Sequence, residues 1–145
     1  MTAPKLGISL DALNARKASE EAHEFEYTLA DGTRTGIFLS VLGAHAHAVV
    51  SKTNEMINDR RRKEAARDAQ AQIDRSVDTF TPFENEVAFT QQLAAARLVG
   101  WRGIDEDFTP DLALKLCQIN PDIAAQIVSR SNNLGNYMKG LSPTS

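Results

Sequence analysis

Residues 25–43 have the sequence FEYTLADGTRTGIFLSVLG and contain the clearest structural pattern in the chain. Apolar and polar side chains alternate over residues 25–29, and Ile37, Leu39 and Val41 fall on one face of a second run over residues 35–42. Between them lies Asp31-Gly32, a dipeptide that suits a type I′ turn because both positions tolerate a positive φ. The pattern predicts a β-hairpin with one buried face, and a lone hairpin is marginal in water, so it must pack on another element.

A helical period replaces the strand period after the hairpin. From about residue 46, Val49, Val50, Met56 and Ile57 recur at helical spacing, which predicts one helix to about residue 74. The second half of this helix, residues 59–71, is charged or alanine-rich and has only a thin apolar stripe. A helix of this kind projects into solvent, pairs with another chain, or frays.

Shorter helices are predicted at both ends of the chain. Ser9 is a plausible N-cap for a helix over residues 9–21. Three later starts combine a capping residue, a proline and an acid, and they predict helices over residues 82–99, 110–119 and 121–131. The capping segments are Thr81-Pro82-Phe83-Glu84, Thr109-Pro110-Asp111 and Asn120-Pro121-Asp122. Gly100 is expected to end the first of these helices, with a loop over residues 101–107.

These elements predict an α+β fold with an N-terminal β-hairpin in a small antiparallel sheet, a long helix and a compact C-terminal bundle of about three helices. We divide the chain into an N-terminal arm with a short helix (1–22), the hairpin with the long basic helix (23–76) and a helical C-terminal subdomain (77–145). A length of 145 residues suits one compact domain overall.

Composition limits the class of protein. Hydrophobic residues make up 42% and charged residues 24% of the chain, as in globular proteins. One cysteine excludes an internal disulfide framework and a cysteine-based zinc site. We see no apolar core of a secretory signal near the start and no apolar run near the ~18 residues that span a bilayer. We therefore expect a soluble protein of a reducing compartment, with no membrane partner.

No enzymatic motif is found, so we expect a non-enzymatic protein without a cofactor or metal. The sequence has no G-x-G-x-x-G, Walker or G-x-S-x-G motif. His45 and His47 have i, i+2 spacing, but no further ligand follows at metal-binding distance. We expect Cys117 to be a small buried hydrophobe. The acidic stretch 105–107 lacks the glycine of a calcium loop.

The net charge of −3 conceals a basic helix. Residues 51–75 contain seven basic and five acidic groups, whereas residues 11–31 contain two basic and six acidic groups. The run 60–63, followed by Arg67, is the strongest local feature, although a mixed-charge helix is usually a solvated face. It could bind an acidic protein or nucleic acid, and nucleic acid is disfavoured because residues 45–76 contain no aromatic platform.

Two aromatic features complete the set of candidates. Trp101 is expected to anchor the helical core or to serve a binding site. Apolar groups in the irregular C-terminal segment could dock on a partner or on the chain's own core. The predicted partner-binding residues are therefore Arg60, Arg61, Arg62, Lys63, Arg67, Trp101, Tyr137, Met138 and Leu141.

The order of these features resembles the tail assembly chaperones of long-tailed bacteriophages. The resemblance covers about residues 20–140 and begins with FEYTL at 25–29, Asp31-Gly32 and GIFLSVLG at 36–43, followed by the arginine-rich helix. It is closest in the C-terminal half, in AARLVGWRGI at 95–104, FTP at 108–110 and NPDI at 120–123.

The resemblance implies a protein that binds the tape measure protein, a long helical and aggregation-prone chain, and recruits tail tube subunits around it. Such chaperones act in the cytoplasm of the infected host and are absent from the finished virion. Many have a longer form made by ribosomal frameshifting, which would be a further partner, and this chain would be the short form. The alternatives are a small adaptor retained in the tail or head–tail connector, and a nucleic-acid-binding regulator.

Overall fold

The computed structural model describes residues 7–74 and 83–138. Within these ranges the elements are α1 (Ala15–Ser19), β1 (His23–Thr28), β2 (Arg34–Val41), α2 (His47–Ile73), α3 (Phe83–Arg97), β3 (Leu98–Arg102), α4 (Pro110–Ile119) and α5 (Pro121–Asn132). Short 3-10 turns at Leu10–Leu13 and Leu134–Asn136 precede α1 and follow α5. The predicted α+β class, with its hairpin, long helix and C-terminal helices, is confirmed. In the described ranges, no helix is both long and apolar enough to cross a bilayer.

The strands form an antiparallel sheet in the order β1-β2-β3, and one face of it carries the core. Leu39 in the central strand lies opposite Phe25 in β1 and Trp101 in β3. Leu39 and Val41 are fully buried, as their shared face predicted. Helices α3, α4 and α5 cover this face, and the buried cluster consists of Phe25, Tyr27, Leu39, Val41, Ala94, Leu98, Ala113, Cys117, Ile123, Ala124 and Ile127.

The third strand corrects our prediction for residues 98–107. We expected the helix to continue to Val99 and a loop to begin at Trp101, but α3 ends at Arg97 and β3 pairs with β2. Val99 and Trp101 favour strands, and Gly100 is a poor helix former. The second edge of β2 also needs a partner for its backbone groups, and β3 supplies it.

The hairpin turn is not the predicted type I′ turn. Gly32 has a φ of 89°, but none of the described non-glycine residues has a positive φ, so Asp31 is not left-handed. The Gly32 amide donates to the Leu29 carbonyl at 2.8 Å, which indicates a type I turn followed by a left-handed glycine. The Asp31 carboxylate accepts from the Thr33 amide at 2.9 Å, and this local bond favours the observed turn.

Side-chain caps start α4 and α5 where they were expected, whereas the N-terminal helix differs from its prediction. Thr109 accepts from the Leu112 amide at 3.1 Å, and Asn120 accepts from the Ile123 amide at 3.2 Å. The predicted helix over residues 9–21 is divided because Asn14 caps α1 and ends the preceding 3-10 turn. The capping residues Thr81 and Pro82 lie outside the described residues.

The linker between β2 and α2, residues 42–46, is hydrogen-bonded to three helices. The amides of Leu42, Gly43 and Ala44 donate to the carbonyls of Arg97, Ser19 and Ser131 at 2.8, 3.0 and 3.0 Å. The Ser131 hydroxyl donates back to the Leu42 carbonyl at 2.7 Å. The chain therefore leaves the sheet through a linker that is bonded to α1, α3 and α5, and this fixes where α2 begins.

Candidate partner-binding surfaces

Arg60 connects α2 to α3 and is only partly available to a partner. Its guanidinium forms ion pairs with Glu64 on its own helix, at 3.3 Å, and with Glu86 on α3. It also lies over the Phe89 ring, 4.8 Å from the ring centroid. We predicted Arg60 as a partner-binding residue, and that stays a prediction; its contacts also give it a role in positioning α3.

The three cations that follow Arg60 in the chain are more exposed than Arg60. Lys63 and Arg62 contact the Asp59 carboxylate at 3.0 and 3.8 Å, and both side chains are about three-quarters exposed. The Lys63 hydrogen bond lowers the pKa of Asp59. Arg61 is exposed, and Arg67 is partly buried. Because exposed ion pairs are weak, an incoming partner can compete for these side chains.

A groove of about 250 Å³ lies between α2 and α3, and we call it the α2–α3 groove. Its floor is apolar, and its rim includes three of the predicted cations. The floor consists of Met56, Ala88 and Phe89, the cations are Arg60, Lys63 and Arg67, and the carboxylates of Asp59 and Glu64 also line the groove. The structure therefore brings the basic stripe of α2 next to an apolar strip that α2 and α3 form together.

A second groove, of about 520 Å³, lies between α3 and α5, and we call it the α3–α5 groove. Its apolar lining includes Val87, Pro121, Ala125 and Val128, and Glu86 is its one charged lining residue in the described part of the chain. Sequence reasoning missed this groove because it depends on how two helices 24 residues apart meet. The side chain of Val87 is 36% exposed in the structure, and its spacing in the sequence does not indicate this exposure.

Trp101 packs against residues of the β3–α4 connection. Its ring meets Phe108 edge-on with centroids 5.0 Å apart, and its indole N–H donates to the Glu106 carbonyl at 2.8 Å. These contacts tie the β3–α4 connection to the core and agree with the anchor interpretation. Binding of a partner by Trp101 stays a prediction.

The C-terminal segment also docks on the sheet. The Tyr137 hydroxyl donates to the Val41 carbonyl at 3.0 Å, and its ring meets His23 edge-on. Met138 is half-buried, and Leu141 lies outside the described residues. Burial raises the pKa of Tyr137 to about 12, and the charge of Arg97 opposes that rise. The alternative that this segment packs on the chain's own core therefore holds for Tyr137.

Replacing Tyr137 by phenylalanine should lower the free energy of unfolding by about 1 kcal/mol at neutral pH, because the Val41 carbonyl loses its side-chain donor. The difference should narrow as the pH rises from 10 towards 12. In this range the tyrosine of the unfolded chain ionises before that of the folded chain, which lowers the free energy of unfolding of the wild type. The phenylalanine variant has no group at this position to ionise, so its free energy of unfolding is not lowered in this way. Urea unfolding of both proteins across this range measures the effect, and a constant difference would contradict it.

The remaining side chains considered for chemistry are one cysteine and two histidines. Cys117 is fully buried, as predicted, and burial raises the pKa of its thiol to about 11. His45 and His47 are exposed near the start of α2. In the part of the chain that the structure describes, no three His, Cys, Asp or Glu residues are placed to hold a metal ion.

No family model, curated protein or solved structure matches the chain.

Proposed function

We propose that this chain is a non-enzymatic tail assembly chaperone that binds the tape measure protein and recruits tail tube subunits in the infected host cell. The observation that carries the proposal is the exposure of α2. This helix has 27 residues, and Val49 and Met56 are its buried residues in the structure. A protein that holds a long helical client needs such an exposed helix face more than it needs an enclosed polar pocket.

The sequence resemblance supports the same function. Its phrases coincide with elements of the sheet and their connections. Residues 36–43 contain most of β2 and the start of the linker, and residues 95–104 contain the end of α3 and all of β3. FTP and NPDI contain the caps of α4 and α5. The helix α2 packs on α3, and most side chains of its second half are exposed.

Co-expression tests the proposal directly. The tape measure and tail tube proteins encoded beside this chain should stay soluble in its presence, and the tape measure protein should co-purify with it. If both are equally insoluble with and without the chain, and neither co-purifies, the proposal fails. Mass spectrometry of purified particles separates the chaperone from the adaptor, because a stoichiometric amount in the virion would favour the adaptor.

A further inference from the structure

The α2–α3 groove combines an apolar floor with an excess of positive charge. Met56 is 7% exposed, and Ala88 and Phe89 are half-buried beside it. Three cations and two carboxylates line the groove, which leaves one positive charge in excess: Arg60, Lys63 and Arg67 against Asp59 and Glu64. The ion pair of Arg60 with Glu86 and its contact with the Phe89 ring connect α2 to α3, so the groove lies between two helices that contact each other.

We infer that the α2–α3 groove binds an amphipathic helix whose apolar stripe is flanked by carboxylates. The inference rests on the proposed function, since this helix would belong to the client. The walls are helices, whose backbone groups are bonded internally, so a partner must be recognised through side chains and not as an added strand. From Met56 to Arg67 the groove runs about 16 Å at 1.5 Å per residue, or three turns of a bound helix.

Charge selects this groove over the α3–α5 groove and selects the sign of the partner. Because the rim carries three cations and two carboxylates, its net charge is positive and favours carboxylates over a basic helix. Complementary charge of this kind fixes specificity and register. The α3–α5 groove has one charged lining residue among those described, Glu86, and so offers little basis for choosing between acidic and basic helices.

Two labelled peptides of about 18 residues, or five helical turns, test the inference with the full chain. Both have the same leucine and alanine stripe, and one has glutamate flanks where the other has lysine flanks. The glutamate peptide should bind at least about tenfold more tightly by fluorescence anisotropy, and its affinity should fall as salt is added. Equal binding of the two peptides would overturn the inference.

Variants then locate the site. Lys63→Glu with Arg67→Glu should weaken binding of the glutamate peptide by about tenfold or more. Lys52→Glu with Lys115→Glu makes the same change in net charge outside the groove and should change binding by less than about twofold. No difference between these two double variants would overturn the inference. Circular dichroism confirms that each variant keeps its helices.

Two uncharged substitutions test whether the peptide contacts the apolar floor of the α2–α3 groove. Ala88→Gln places a larger polar side chain in the α2–α3 groove, whereas Ala125→Gln places the same side chain in the α3–α5 groove. Loss of peptide binding in the first variant alone supports the inference. Loss in the second alone would move the site to the α3–α5 groove and overturn it.

The client assay keeps the two proposals separate. If the wild type and the Lys63→Glu/Arg67→Glu variant both keep the tape measure protein soluble, the chaperone function holds and the groove assignment fails. If the wild type does not keep it soluble, the chaperone proposal fails, and the peptide measurements still decide what the groove binds.

Discussion

Replacing Gly103 by alanine should lower the free energy of unfolding by about 2–4 kcal/mol. Gly103 has a φ of 86°, in the left-handed region where a Cβ atom is strained. A Cβ there would also lie 2.3 Å from the carbonyl oxygen of Gly36. Because that oxygen belongs to the backbone of β2, the contact is relieved only by moving β2 or the loop after β3.

Two other glycines separate the strain from the close contact. Gly36 has a φ of 74° but open space around its Cβ position, so Gly36→Ala should cost only the strain, about 1 kcal/mol. At Gly100 the new Cβ would meet the Ser40 Cβ at an ordinary 3.9 Å, so Gly100→Ala should be nearly neutral. Urea unfolding followed by the fluorescence of the single tryptophan gives the three values. A Gly103→Ala cost no larger than that of Gly36→Ala would show that the backbones are not in close contact.

The elements with local determinants could be predicted from the sequence. The caps at Thr109 and Asn120 depend on side chains that bond amides three residues away. The alternation over residues 25–29 and 35–42 depends on neighbours within the same strand. The long α2 follows from a run of residues with high helix propensity. In each of these three cases, the interactions that determine the helix or strand are made between residues close together in the sequence.

The parts that depend on distant residues could not be predicted in the same way. In β3, Leu98 and Val99 continue the apolar spacing of the preceding helix, and the partner that converts them into a strand is about 60 residues earlier in β2. The α2–α3 groove has the same origin. Sequence reasoning found the cations of its rim because they are adjacent in the chain, but not its floor, because Met56 and Phe89 meet only after α3 has docked.

Replacing Gly43 by alanine should also destabilise the protein strongly, by about 2–3 kcal/mol. A Cβ at this position would lie 2.4 Å from the Ser19 Oγ, 2.6 Å from its Cβ and 2.9 Å from its Cα. Ser19 is fully buried, and its carbonyl accepts the Gly43 amide. Ser19 therefore cannot move aside without breaking the bond that joins α1 to the linker between β2 and α2.

A double variant shows whether this contact is the cause. Ser19→Gly removes the two nearest atoms and leaves the Cα at 2.9 Å, so it should recover part of the stability lost in Gly43→Ala. The coupling between the two substitutions should be favourable by about 1–2 kcal/mol, since residues in direct contact are not additive. The Ser19 hydroxyl has no hydrogen-bond partner among the described residues, so Ser19→Gly alone loses no side-chain bond there. Strictly additive costs in urea unfolding would mean that the stability lost in Gly43→Ala does not come from the contact with the Ser19 side chain.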